Sequence, residues 1–345
     1  MARTKPQAAP AFDPDAPATG DGIYGLPFTP DDAAVVVVPV PFEATTSYGG
    51  GTSRGPKAVL EASRQVDLYD HETGRPYATG IAMLAIPRKV VSWNRRAKVL
   101  AAPVIKEGGA VDPKTRSAAE KVNKIGEAVN DWVYEKTIDL LDQDKMAVIL
   151  GGDHSVPFGA IRAHSERYPG MGILHLDAHA DLRDAYEGFT WSHASIFHNV
   201  MTRLPRVAKL VQVGVRDLGQ AESEMIASSR GRIETFFDAD LALRKDRGES
   251  FASIADSVVA ALPDAVYLSW DIDGLDPTLC PGTGTPVPGG LSWNEAIGLL
   301  RAVVRSGKRI VGLDLCEVSP GETEWDANVG ARLLYKMIGF ALLTN

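Results

Sequence analysis

A chain of 345 residues, 45% hydrophobic and 23% charged, is long enough to bury one large α/β core or two average ones. Its net charge of −8 disfavours non-specific nucleic-acid binding, and Cys280 and Cys316 are too few for a disulfide framework. No apolar run reaches the ~18 residues of a membrane span and MARTKPQ lacks the apolar core of a secretory signal. A soluble cytoplasmic protein without nucleic-acid or membrane partners is expected.

Residues 1–20, rich in Ala, Pro and Asp, read as a mobile N-terminal tail, and residues 21–345 as a single domain. AAVVVVP at 33–39 predicts a buried strand that runs into the glycine-rich PFEATTSYGGGTSRGP. Pro56 suits the first turn of a helix, supported by Val59, Leu60, Ala62 and Val66. Mixed charge with Gly108, Gly109 and Pro113 makes residues 92–114 a surface excursion. Val122, Ile125, Val129, Val133 and Leu140 predict one buried face of a long helix from Thr115 to about Leu141.

Further strands are read at MAVIL, GILHL, KLVQVGV, VYLSW and RIVGLDL, with apolar helical patterns between several of them. That alternation predicts a three-layer αβα sandwich around a mostly parallel sheet. Ligands in such folds bind beyond the C-terminal ends of the strands.

At four strand ends the sequence carries ionisable residues. His154 follows GGD; Asp177, His179 and Asp181 follow GILHL; Asp271 and Asp273 follow VYLSW; Glu317 follows RIVGLDLC. Residues two apart in an extended segment share a face, so each aspartate pair converges. Buried carboxylates that close repel or titrate unless a cation lies among them. Four carboxylates, summing to −4, match two divalent cations, and such pairs acidify water toward neutrality. Oxygen donors with two imidazoles and no thiolate suit Mn²⁺, leaving Co²⁺, Ni²⁺ and Zn²⁺ open.

GGDHS at 151–155, DAHAD at 177–181, SWDIDGLDP at 269–277, PGTGTP at 281–286 and DLCEVSP at 314–320 together resemble the ureohydrolases. These arginase–agmatinase enzymes split guanidino compounds into urea and an amine at a dimanganese centre. The resemblance spans roughly residues 35–340 and implies an arginase-like fold and a trimeric or hexameric homo-oligomer. It implies His154, Asp177, Asp181 and Asp271 as ligands of one metal. His179, Asp177, Asp271 and Asp273 would hold the other, with Asp177 and Asp271 bridging. It implies catalytic roles for Glu317, which would grip the guanidinium, for His193, which would pass protons to the leaving amine, and for Asp181. Ala194 replaces the glycine that follows this histidine in many members. His175 is expected to be packed or supporting, and Cys316 to be a core residue.

Where arginases place an asparagine loop for the α-amino acid, this chain has Arg183 in DLRDAYEGF. With SHA downstream this looks more like agmatinases, and agmatine, giving putrescine, is the expected small cationic substrate. Asp184 and Glu187 could attract its ammonium. Arg183 could instead hold a carboxylate, pointing to 4-guanidinobutyrate or formimidoylglutamate. A catalytically silent, metal-stabilised assembly module is the non-enzymatic alternative.

Overall fold

Short β-branched and aliphatic runs supply every strand of the computed structural model, which describes residues 12–345. The strands are β1 (Val35–Val40), β2 (Ile81–Met83), β3 (Met146–Gly151), β4 (Gly172–Leu176), β5 (Lys209–Val213), β6 (Ile233–Phe236), β7 (Ala265–Asp271) and β8 (Arg309–Cys316). They form one sheet in the order β2-β1-β3-β8-β7-β4-β5-β6, with every pairing parallel. The expected strands are all present. The two edge strands, β2 and β6, escape a sequence reading because they span only three and four residues.

The helices are α1 (Gly55–Ala62), α2 (Arg88–Lys106), α3 (Pro113–Leu141), α4 (Phe158–Arg167), α5 (Ile196–Arg203), α6 (Gln220–Ser228), α7 (Asp238–Asp246), α8 (Phe251–Ala260), α9 (Trp293–Arg305) and α10 (Trp325–Leu342). Successive side chains of a strand face opposite sides of the sheet. Val35 and Val37 of β1 accordingly enter one apolar core with α1, α8, α9 and α10, while Val36, Val38 and Val40 enter another with α2, α3, α4 and α5. A sheet covered on both faces is the three-layer αβα sandwich that the β/α alternation predicts.

The segment 92–114 is not an irregular excursion. Most of it belongs to α2, whose Val90, Ala97, Ala101 and Val104 are buried in the second core. The lysines and arginines that suggested a surface loop occupy the solvent side of this helix. Val66 likewise lies beyond α1, which ends at Ala62 and passes into a 3₁₀ turn over Ser63–Gln65. Of the expected tail, residues 1–11 fall outside the described residues, and 12–20 are turns and irregular chain, mostly exposed. Among the described residues no helix is long and apolar enough to cross a membrane.

The central strands carry the most packing. Leu313 of β8 is inaccessible to solvent and lies in register with Val148 and Leu268 on its two neighbours. Leu313→Ala should therefore cost about 2–5 kcal/mol, the range for emptying a core leucine site. Urea unfolding should show a lower midpoint with an unchanged slope.

Candidate active site

The sheet order explains why residues far apart in sequence meet. β3, β8, β7 and β4 are consecutive neighbours, and their C-terminal ends deliver His154, Glu317, Asp271 with Asp273, and Asp177 with His179 and Asp181. All but His179 are buried. Two of them sit in left-handed backbone that non-glycine residues rarely adopt, Asp181 at φ 53° and Glu317 at φ 64°. Strain of this kind concentrates where geometry serves a site.

Three carboxylates converge on one ring nitrogen. His154 Nδ1 lies 3.1 Å from Asp177 Oδ2, 3.4 Å from Asp181 Oδ2 and 3.5 Å from Asp271 Oδ2. One N–H can serve one of these oxygens well, so hydrogen bonding alone does not account for the arrangement. A second group stands beside it, with His179 Nδ1 3.1 Å from Asp273 Oδ2 and 3.3 Å from Asp177 Oδ1. Asp177 thus turns one oxygen to each group, the geometry of a bridging carboxylate. Asp271 turns its Oδ2 to the first group, and its Oδ1 accepts the Asp273 N–H at 2.9 Å much as Asp177 Oδ1 accepts the His179 N–H at 2.6 Å.

The charges of this cluster are unsettled without a cation. Burial and the Asp177 charge push Asp181 up to about 7, and burial with Asp273 and Asp177 raises Asp271 well above the usual carboxylate range. For His179 the opposing burial is overcome by Asp273 and Asp177, which push it up to about 12. A cluster that holds protons this tightly is one that divalent cations would occupy in their place. The residues fit a pair of such ions.

A polar row, buried except for half-buried Thr235, lies two residues below along the strands. Register aligns Asp314 (β8), Ser269 (β7), His175 (β4), Gln212 (β5) and Thr235 (β6) across five strands. Thr235 Oγ1 donates to Gln212 Oε1 at 3.0 Å, and Gln212 Nε2 donates to His175 Nδ1 at 3.0 Å. His175 must then carry its proton on Nε2, which donates to Asp177 Oδ2 at 2.8 Å. From the other side, Ser269 Oγ donates to Asp314 Oδ1 at 3.0 Å. With its one proton committed, Ser269 accepts from His154 Nε2, 3.0 Å away. Three carboxylates around Nδ1 hold the His154 ring protonated in the absence of a cation, and with a cation in place Nδ1 would present its lone pair to the cluster, as a metal ligand requires. His175 could pass for a ligand by proximity, since its nitrogen lies within 4.8 Å of ligand atoms of His154, Asp177 and Asp181. The bond from Gln212 leaves its facing nitrogen protonated and without a lone pair.

Glu317 closes the floor on the other side. Its Oε1 accepts the His154 N–H at 3.1 Å, while Oε2 is buried without a partner. A Cβ at Gly284 would stand 2.8 Å from that oxygen, so the glycine keeps its surroundings open. Burial, then Asp271 and Asp153, raise the Glu317 carboxyl well above its ordinary range. Cys316 beside it is fully buried in the core, as expected. His193 is half-buried, and burial, then the neighbouring His179 charge, lower its imidazole from the ordinary value.

The tail-binding expectations fare differently. Arg183 Nε is 3.3 Å from Glu222 Oε2, and its guanidinium lies 4.8 Å above the Tyr186 ring. Asp184 is solvent-exposed, with His198 Nδ1 3.8 Å away. Glu187, at φ 55°, holds a buried Oε2 with no partner. Sequence reasoning passed over Asp314, Ser269, Gln212 and Glu222. The first two lie inside motifs already singled out; Gln212 and Glu222 come from β5 and α6, where no motif marks them.

The sequence model described as the Arginase family matches residues 33–339. An N(1)-aminopropylagmatine ureohydrolase of Thermus thermophilus is 35% identical over 319 residues, covering 92% of this chain and 94% of that protein. An agmatinase of Proteus mirabilis is 30% identical, covering 91% and 90%. The crystal structure of an agmatine ureohydrolase of Thermoplasma volcanium superposes with a TM-score of 0.72 at 23% identity, covering 94% of each chain, which shows the shared fold.

The polar row has a measurable consequence. Gln212→Met removes the donor that fixes the His175 tautomer at nearly constant volume. Because Gln212 acts on the ligand Asp177 only through His175, metal affinity should fall by up to about 10-fold, the low end of the effect of losing a ligand's direct supporting partner. Competition with a chelating dye reads this directly, and unchanged affinity would separate the row from the metal positions.

Proposed function

The chain belongs to the arginase family, and on that premise we propose that it is a divalent-metal ureohydrolase cleaving agmatine to urea and putrescine. His154, Asp177, Asp181 and Asp271 would hold one ion; His179, Asp177, Asp271 and Asp273 would hold the other, with Asp177 and Asp271 shared. Carboxylate oxygens and two imidazoles without thiolate suit Mn²⁺, and a pair of such ions when bound supplies Lewis acidity and lowers the pKa of water toward neutrality.

This chain's own residues supply the remaining steps. Glu317 would pair with the guanidinium through Oε2, the buried oxygen with no other partner. A carboxylate and the planar N–H fork match in charge and spacing, which orients the central guanidinium carbon toward the carboxylate cluster. Asp181 would accept the proton released as water adds to that carbon. Cleavage of the C–N bond to the chain nitrogen leaves urea and requires a proton on the departing amine. His193, an imidazole next to the cluster, would relay that proton.

One observation carries the choice of an amine-tailed substrate. Arg183 is the side chain that could bind an acidic tail, and it is paired with buried Glu222 and stacked on Tyr186. A guanidino acid would have to break that pair, whereas an ammonium tail would meet Asp184 and the unpartnered oxygen of Glu187. The relative from Thermus thermophilus favours a second reading, N1-aminopropylagmatine, which extends the same cationic tail. A homo-oligomer, as a trimer or hexamer, belongs to the same proposal.

The test is kcat/KM for urea release from agmatine, N1-aminopropylagmatine, 4-guanidinobutyrate and arginine under one set of conditions. The two amines should lead, with arginine at least about a thousandfold lower, since an unpaired carboxylate in a closed pocket costs several kcal/mol. A preference for 4-guanidinobutyrate would overturn the tail assignment. Glu317→Gln should lower kcat/KM by on the order of a hundredfold or more while leaving metal content unchanged. His193→Asn should cost about 10²–10⁴-fold in kcat, the span of general acid–base catalysis.

A further inference from the structure

Helix α2 touches one of the loops that frame the site, and the segment that follows α2 touches another. The first loop follows β1. It carries Glu43, whose carboxylate is buried under it, and the successive glycines Gly49, Gly50 and Gly51 at φ 68°, 98° and 107°. Glu43 Oε2 accepts the Gly51 N–H at 2.6 Å, the Ser53 N–H at 2.9 Å and the Thr52 hydroxyl at 3.1 Å. Its other oxygen is paired with Lys98 of α2, and its own N–H donates to Asn94 Oδ1 of α2 at 2.9 Å. One carboxylate thus shapes the loop, and α2 holds that carboxylate from both its backbone and its side chain.

This loop closes on Glu317. A Cβ on Gly49 would stand 2.7 Å from the Gly284 carbonyl oxygen, and one on Gly51 would stand 2.6 Å from Ser319 Oγ. Ser319 Oγ donates to the Gly50 carbonyl at 2.9 Å. Ser319 lies two residues beyond Glu317, and Gly284 faces Glu317 Oε2. A displacement of the glycine loop would therefore reach the oxygen assigned to the guanidinium.

The second contact lies past the helix's C-terminus. There the Ala110 N–H donates to the Glu187 carbonyl at 3.2 Å, and a Cβ on Gly188 would stand 2.7 Å from Ala110 Cβ. That segment leads directly to His193.

We propose that α2 is a positioning brace for substrate, in which Lys98 and Asn94 hold Glu43, and Glu43 holds the Gly49–Gly51 loop against Glu317. The inference rests on the reading of the site as one that binds a guanidino compound. Lys98, Asn94 and Glu43 touch neither the carboxylate cluster nor the guanidinium position, and they reach the site through the glycine loop and through Phe42, whose carbonyl accepts the Asp153 N–H at 2.8 Å. Loosening them should weaken binding and leave the chemical step nearly intact, as expected when ordering of the loop must accompany binding.

The experiment uses full-length protein loaded with Mn²⁺ and compares Lys98→Met and Lys98→Arg with the unaltered chain. Lys98→Met should raise KM for agmatine at least about fivefold, with kcat within about threefold and metal content unchanged. Amide exchange over residues 49–54 should accelerate at least about tenfold, with the amides of β3 and β8 unaffected. Lys98→Arg should restore both readings to within about twofold. Faster exchange without a change in KM would overturn the role in substrate positioning. Unchanged exchange would overturn the brace itself, whatever happens to KM. Failure of the unaltered protein to release urea from any guanidino compound would overturn the enzymatic reading. The exchange comparison would still decide whether α2 holds the loop.

Discussion

The structure turns on an electrostatic conflict placed at the end of a parallel sheet. Three carboxylate oxygens face a single imidazole nitrogen at 3.1–3.5 Å in a site almost closed to water. Such an arrangement is costly without counter-charge, and each carboxylate then either takes a proton or waits for a cation. The fold tolerates it because β3, β8, β7 and β4 are locked between two apolar layers. Packing secures the strands, and the strands hold the charges where they would otherwise separate.

Orientation comes from the next layer down. The row from Asp314 to Thr235 is entirely backed by sheet register, so each member finds its neighbour without any loop rearrangement. Its chemistry has a direction, because protons are donated along it from Thr235 toward Asp177 and from His154 toward Asp314. One chain ends in the cluster and the other begins there, and together they determine which lone pairs it presents. Glu317 and Asp181, held in left-handed backbone, complete a site whose shape is imposed from outside rather than adopted by its own side chains.

How much of this could be read from the chain depends on the range of the physics involved. The valine and isoleucine runs announce buried strands locally, but the aspartates past the strand ends converge through turns and not through strand alternation, because Asp273 lies in a 3₁₀ turn over Ile272–Gly274 and Asp181 in left-handed backbone. The sandwich and the approach of His154, Asp177, Asp271 and Glu317 follow from such short-range rules plus the parallel topology. Helix α2 was hidden because its buried positions, Val90, Ala97, Ala101 and Val104, are mostly small and separated by charges. A helix pattern of alanines among lysines and arginines has little apolar contrast. Arg183 gave no hint of direction either, since its partner Glu222 is supplied by α6, a distant helix. Contacts of that kind are decided by packing, and no local pattern encodes them.

The central claim, that the cluster is built for two cations sharing Asp177, is tested most directly by counting ions. Metal-stripped protein would be titrated calorimetrically with Mn²⁺, alongside Asp177→Asn. The account predicts two ions per chain in the unaltered protein and no tightly bound pair in the variant, because Oδ1 and Oδ2 of this one residue face the two groups. Two ions bound by Asp177→Asn with unchanged affinity, or fewer than two bound by the unaltered protein, would contradict it.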